Sequence, residues 1–520
     1  MTMTEAPPAR RSTLQWVGLA AGPLLAGVCA LLLPAEYRDC AGEFVAFSAA
    51  GRATLAVLVW MAVWWLTEAI EISATALLPI AVFPLLGIAE IKAATAPYAS
   101  DLIFLFMGGF LLALAMQRWG LDRRFALLTL RLVGTRPANM VAGFMLATAV
   151  LSAFVSNTAT TAVMLPIALS VIHLTAREKA DQAALAAGSL PAGNRNFALC
   201  LMLGIAYAAS IGGIATIIGT PPNGILVQFI KDQIADPFRQ EISFARWLTI
   251  GAPLAAVFLP LVWLLLTRVL YPIRIRQIAG GRALIEEEYR GLGPANRGER
   301  VTSVVFVATA LAWITRPLVT RIAWGDGDGA IMPFAGLSDS GIAMIAGLVL
   351  FVIPVDRQGR SVLNWETAKK LPWGILILFG GGLSLAAAVK ANGVAEFIGS
   401  QVTILRHAPP IVLVIAVATL VIFLTELTSN TATTATLVPI LSGVAIGLGF
   451  HPFLLIVTAA IAASCAFMMP IATPPNAIVF GSGYVTIPQM CKAGLWLNLL
   501  GVVLVTALMY AVVVPLLGIG

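Results

Sequence analysis

Seven residues carry the clearest chemical signal in this chain. Ser156-Asn157-Thr158-Ala159-Thr160-Thr161-Ala162 recurs letter for letter as Ser429-Asn430-Thr431-Ala432-Thr433-Thr434-Ala435, at an offset of 273 positions. Neither copy holds a charge; each offers hydroxyls, one amide and backbone. Where a helix begins at such a segment, its first N–H groups are free and carry roughly half a positive charge, so an anion can be held there without Lys or Arg. The same hydroxyls, the Asn oxygen and unwound carbonyls are hard oxygen ligands suited to Na+. Two such tips facing each other would suit a ligand with two anionic ends.

A second duplicated motif completes the set. Gly219-Thr220-Pro221-Pro222-Asn223 is matched by Ala472-Thr473-Pro474-Pro475-Asn476 at an offset of 253, and Phe106-Met107-Gly108-Gly109 aligns with Phe379-Gly380-Gly381-Gly382 at the 273 offset. Proline lacks an N–H and disturbs the carbonyl four residues earlier. Each Pro pair is therefore expected to break its helix and expose carbonyls such as those of Gly219 and Ala472. Packing between helices is the plainer use of hydroxyls in apolar segments, but it does not account for an exact duplicate coupled to duplicated Pro breaks.

Other candidates carry less. Glu426, three residues before Ser429, is ionisable inside an apolar run, which makes it a functional hypothesis by default; orienting backbone at the tip or facing a wet cavity are structural alternatives. Glu68 and Glu71 follow Trp60, Trp64 and Trp65 and read as an interfacial anchor. His173, His407 and His451 are isolated and receive no chemistry. The cysteines Cys29, Cys40, Cys200, Cys465 and Cys491 are odd in number and contain no CxxC pair, so packing is expected rather than disulfides or zinc.

The elements that must position these groups follow from composition. The 520 residues are 59% apolar and only 11% charged, with a net charge of +7; a soluble chain carries about 25% charged residues. Disordered and collagen-like classes are excluded. A basic balance can signal nucleic acid, but that needs Lys and Arg gathered on one face, and here they sit between apolar runs. The chain reads as an all-α polytopic membrane protein without a nucleic-acid partner. Runs near 14-34, 53-70, 72-90, 101-117, 196-230, 247-270, 301-318, 340-354, 372-389, 452-482 and 493-516 meet or approach the ~20 residues a spanning helix needs. The run from Leu14 follows Arg10 and Arg11 without a small-residue cleavage site, so it is read as a first transmembrane helix rather than a signal peptide.

Stretches 138-175 and 409-447 have polar, uncharged centres. Arg131, Arg136, Arg177 and Lys179 flank the first and put both its ends on one side, so we read two re-entrant hairpins, tolerated at depth only beside protein or a water-filled cavity. Arg118, Arg123, Arg124, Arg131 and Arg136 follow the first Gly-Gly helix, whereas the matching segment of the second half has only Lys390 and Arg406. The halves thus read as inverted repeats, an arrangement that builds midplane binding sites in secondary transporters. The expected organisation is a cytoplasmic tail 1-13, a first helix with an outside loop 14-52, a first repeat 53-273 with hairpin 138-175 and broken helix 196-230, a cytoplasmic amphipathic connector 274-300 with solvated charges, and a second repeat 301-520 with hairpin 409-447 and broken helix 452-482. The N-terminus is placed in the cytoplasm and the C-terminus outside.

On these paired Ser-Asn-Thr and Thr-Pro motifs the chain resembles the divalent anion/sodium symporter family of dicarboxylate and citrate carriers, over nearly its whole length beyond the tail. The resemblance implies a homodimer whose transport domain moves as an elevator against a scaffold. It implies one sodium site at Ser152, Ser156, Asn157 and Gly219, and another at Thr425, Thr428, Asn430 and Ala472. Substrate carboxylates would meet Ser156, Asn157, Thr158, Thr220 and Pro221 on one side, and Ser429, Asn430, Thr431, Thr473 and Pro474 on the other. Thr428 stands where relatives often have a small residue, which is harmless if it contributes a backbone carbonyl.

The expected function is Na+-coupled import of C4-dicarboxylates such as succinate, malate and fumarate, in a bacterial inner membrane. A sodium-independent exchanger and a citrate or inorganic oxyanion (sulfate) carrier are the nearest rivals. An enzyme would need a nucleophile with a base, or paired acids, at membrane depth; no such arrangement stands out, and none is expected.

Overall fold

In hydrocarbon every backbone N–H and C=O must be satisfied within the segment, so apolar runs of this length close into helices. The computed structural model describes residues 11–39, 42–134, 136–174, 192–275, 280–324, 331–402 and 408–519. Arg10, Cys40, Arg177, Lys179, Arg406 and His407 lie outside them. The described elements are helices apart from a two-stranded ribbon, Glu36–Arg38 against Phe44–Ala46, and two isolated bridges. Some helix starts carry side-chain caps: Ser12 with Gln15 and Asn296 with Glu299 form reciprocal capping boxes, each satisfying otherwise unpaired N–H groups.

Eight helices among the described residues are long and apolar enough to cross a membrane, from Thr13–Leu32 to Ile487–Leu517. The expected spans at 72-90, 340-354 and 452-482 take shorter forms. Ile72–Thr75 stops and Leu78–Leu85 restarts with Pro79 in its first turn, and Gly87 at φ +65° turns the chain after it. Asp339–Val352 ends just before Pro354, whose ring disfavours helical backbone in the residue before it. Phe453–Ala462 and Pro474–Gly481 are the two parts of the second broken helix.

The interfacial expectation for the tryptophans is corrected in part. Trp65 is fully buried and donates Nε1–H to the Ile72 carbonyl at 3.1 Å, pinning the turn in which Glu68 adopts φ +47°. Trp60 and Trp64 pack edge to face, close against Gly22 of the first helix.

The connector also differs from a solvated segment. Its helix Gly281–Gly291 lies against Leu121–Val133. Glu288 pairs with Arg123 at 2.6 Å and Glu286 with Arg131 at 3.0 Å, while Tyr289 lies beneath the guanidinium groups of Arg124 and Arg131. Arg124 reaches Glu299 at 3.1 Å, both side chains under a tenth exposed. An amphipathic helix with one apolar face needs a surface to cover, and charges on its flanks then find partners there.

Among the described residues no three His, Cys, Asp or Glu side chains are grouped to hold a metal ion. Cys29, Cys200, Cys465 and Cys491 are free thiols. His451 accepts the Phe453 N–H and packs between Phe238 and Phe453.

Candidate functional site

Each heptapeptide copy begins the second arm of a helical hairpin. Pro137–Ser152 turns through residues 153–156 into Asn157–Leu174, and Pro410–Thr425 turns through 426–429 into Asn430–Gly447. The motif serines are helix caps. Ser156 Oγ accepts the Ala159 N–H at 3.3 Å and its carbonyl the Thr160 N–H at 3.0 Å; Ser429 Oγ accepts the Ala432 N–H at 3.5 Å and its carbonyl the Thr433 N–H at 2.8 Å. A side-chain oxygen at this position satisfies one of the free donors of the first turn. Thr161 and Thr434 donate within their own helices to Asn157 O and Asn430 O, each at 2.8 Å. These bonds turn Thr161 and Thr434 back onto their own helices, while Thr158 is exposed at the first tip and Thr431 is half-buried at the second.

The asparagines meet a hydroxyl from the arm before the turn. Ser152 Oγ lies 2.5 Å from Asn157 Oδ1 and 2.7 Å from the Ala209 carbonyl. In the second half Thr425 Oγ1 lies 2.6 Å from Asn430 Oδ1 and 3.1 Å from the Ala463 carbonyl. A hydroxyl has one proton, so each cluster of three oxygens holds more lone pairs than protons. The carbonyls of Ala209 and Ala463, absent from the sequence-based set, are found only by folding, because they come from the helix that precedes each Pro break.

The breaks fall where the Pro pairs predict. Ala192–Ile214 stops and Pro221–Gln233 restarts; Phe453–Ala462 stops and Pro474–Gly481 restarts. Thr220 and Thr473 are the extended cap residues, at φ −146° and −141°. The motif asparagines after the prolines hold the unwound stretches. Asn223 Nδ2 donates to Gly213 O at 3.1 Å and Thr216 O at 2.8 Å, and Asn476 Nδ2 donates to Ala466 O at 3.3 Å and Met469 O at 3.0 Å. Nothing in the spacing of Asn223 and Asn476 marks them for this task, because the carbonyls they hold come from residues with no distinguishing side chains.

Gly213 joins the first tip to the first break. A Cβ on it would stand 2.8 Å from Asn157 Oδ1 and 3.1 Å from Gly219 O, so the Asn157 amide and the Gly219 carbonyl pack against one glycine. Gly219 itself sits against Gly213 O and Ala153 O. Thr216 closes this half by donating its hydroxyl to Ala153 O.

The second half uses a different closure. Glu426, 3% exposed, accepts the N–H groups of Phe467 at 2.7 Å, Met468 at 2.9 and 3.0 Å, and Met469 at 3.0 Å, together with Asn498 Nδ2 at 2.8 Å. The carboxylate orients backbone of the broken helix rather than of the tip. Thr428 Oγ1 is engaged by Leu424 O at 2.9 Å and Thr433 Oγ1 at 2.8 Å, which leaves its backbone carbonyl as the group it can offer. Ala472 is buried, one residue before the Thr473 cap, with its N–H on Met469 O at 3.2 Å.

The two halves interlock around these features. Helix Asn157–Leu174 packs against Pro474–Gly481, and Asn430–Gly447 packs against Pro221–Gln233. The second arm of each hairpin thus meets the restarted part of the other half's broken helix, in addition to the first part of its own.

Residues 45–518 match the family model described as the sodium:sulfate symporter transmembrane region. The chain is 41% identical over 508 residues to the sodium-dependent dicarboxylate transporter SdcS of Staphylococcus saprophyticus, covering 97% of this chain and 92% of that one. It is 40% identical over 513 residues to the protein of the same name from Staphylococcus aureus, strain MRSA252, covering 98% and 93%. In fold it is similar to the YdaH transporter of Alcanivorax borkumensis, with a TM-score of 0.60 at 15% identity over 96% of this chain and 99% of that one. It is also similar to MtrF of Neisseria gonorrhoeae, with a TM-score of 0.56 at 12% identity over 95% and 94%.

Proposed function

The chain belongs to the sodium:sulfate symporter family, and from that premise we propose that it is an integral membrane transporter importing C4-dicarboxylates such as succinate, malate and fumarate together with Na+. The observation that carries the reading is the pair of oxygen clusters, Ser152–Asn157–Ala209 and Thr425–Asn430–Ala463, each with one hydroxyl proton among three oxygens. Such donor-poor clusters suit a hard cation with oxygen ligands. Ser152, Ser156, Asn157 and Gly219 would hold one Na+, and Thr425, Thr428, Asn430 and Ala472 the other.

The substrate's carboxylates would meet Ser156, Asn157, Thr158, Thr220 and Pro221 at one tip, and Ser429, Asn430, Thr431, Thr473 and Pro474 at the other. Free N–H groups and the helix dipoles supply the attraction there. Neither heptapeptide holds a cationic side chain, so the positive charge that offsets a dianion is that of the co-transported Na+. This couples the two cargoes: each binds better when the other is present. The reading extends to inverted repeats with re-entrant hairpins, an elevator-type movement, a homodimer, and a bacterial inner membrane with the N-terminus in the cytoplasm. The dicarboxylate names of the similar Staphylococcus proteins favour this substrate class over sulfate.

Uptake of labelled succinate into proteoliposomes, with and without an inward Na+ gradient, tests the proposal. Gradient-driven accumulation is expected, inhibited by malate and fumarate more than by sulfate or citrate. Uptake indifferent to Na+ and dependent on internal dicarboxylate would replace symport by exchange.

A further inference from the structure

A cavity of about 490 Å³ runs beside the first tip. One wall is a face of the second hairpin arm, where Ala159, Ala162, Pro166 and Ser170 are joined by Val163 and Ile167, at the spacing of one helix face. From Ala159 to Ser170 this face covers about 16 Å at 1.5 Å per residue. It starts one residue after the exposed Thr158 of the tip, and across it stands the arginine-rich helix Leu121–Val133, which carries Arg123, Arg124 and Arg131. The opposite wall carries three charged residues, Asp122, Arg123 and Glu288. Arg123 is the cation among the lining side chains, and it is held at 2.6 Å by Glu288 of the docked connector helix. Asp122 is buried with its carboxylate on the Arg123 N–H at 2.7 Å, at the start of its helix, where the dipole offsets its charge.

We infer that this cavity is the passage between the first tip and the arginine-rich side, and that Arg123 is the residue that receives the dicarboxylate there, exchanging Glu288 for a substrate carboxylate. The inference rests on the dicarboxylate reading given above. The tips hold a dianion without any cationic side chain, and this guanidinium is the full positive charge among the residues that line the cavity. Arg123 and Glu288 are 49% and 28% exposed. A partly solvated pair gives up little energy when it opens, and an arginine fork matches a carboxylate in two parallel hydrogen bonds. Glu288 keeps the cation neutralised while no substrate is present.

Succinate transport measured in both directions in proteoliposomes of known orientation tests this. Arg123→Gln is expected to raise the half-saturating succinate concentration on the arginine-rich side about tenfold, the lower end of steering effects by charge in a cleft. The half-saturating concentration on the other side should stay within about twofold, and Arg123→Lys should recover most of the loss. Glu288→Gln should lower the value on the arginine-rich side, which a merely structural role for the pair would not do. Equal shifts on both sides, or none with Arg123→Gln, overturn the assignment while Na+-driven uptake stands. Absence of succinate transport in the unsubstituted protein instead overturns the dicarboxylate reading.

Discussion

Ser152 Oγ and Asn157 Oδ1 approach to 2.5 Å across the first tip, and the same relationship recurs between Thr425 and Asn430 at 2.6 Å. The spacing of five residues places the hydroxyl on the last turn of one arm and the amide at the start of the next. Neither arm alone brings the two oxygens together; the turn does.

Removing the amide should cost transport in either half. Asn157→Ala and Asn430→Ala are each expected to cut Na+-driven succinate uptake at least about tenfold, the effect of ~1.4 kcal/mol. Uptake near that of the unsubstituted protein in both variants would refute the assigned sites.

Gly213→Ala offers a sharper probe. Its Cβ would sit 2.8 Å from Asn157 Oδ1, closer than carbon and oxygen pack, so the amide must move. The half-saturating Na+ concentration is expected to rise several-fold, while the thermal unfolding midpoint in detergent falls only modestly, in line with an overpacking cost of about 1–3 kcal/mol. An unchanged sodium dependence would detach Gly213 from the site.

Glu426→Gln should act first on stability. The amide offers one acceptor oxygen where the carboxylate serves three backbone donors and Asn498, and hydrogen bonds to a charged group contribute about 1.5–3 kcal/mol each. A lowered unfolding midpoint, measured with and without Na+, is the expected result. A variant as stable as its parent would mean that the unwound stretch 463–473 holds itself.

The Arg124–Glu299 pair is buried at the seam between two helices. Arg124→Met alone should destabilise by about 3–5 kcal/mol, because it leaves Glu299 buried without its partner, and Arg124→Met with Glu299→Leu should recover most of that. Thermal unfolding of the three proteins decides it: a double variant no better than Arg124→Met rules out the stranded carboxylate as the cause.

Much of this was legible in residue order because the chain states it twice. The heptapeptides gave the hairpin turns, and the Pro pairs gave both helix breaks to within a few residues. What could not be read is what comes from elsewhere in space. The Ala209 and Ala463 carbonyls belong to apolar helices with no distinguishing letters. Glu426 was visible as a buried charge, but its partners at Phe467, Met468 and Met469 lie about forty positions on. The acidic run of the connector looked solvated because its arginine partners are remote in sequence.

The interlocking of the halves bears on how such a chain arose. A half-length ancestor carrying one hairpin and one broken helix would have kept the first part of that broken helix against its own hairpin, but not the restarted part that the hairpin's second arm also meets, which belongs to the other half. It would have completed that contact by lending the restarted part to a second copy and borrowing one in return. Joining two copies in one chain would have made that exchange permanent, and it freed each half to diverge. One half now closes on a threonine hydroxyl, Thr216, and the other on a carboxylate, Glu426.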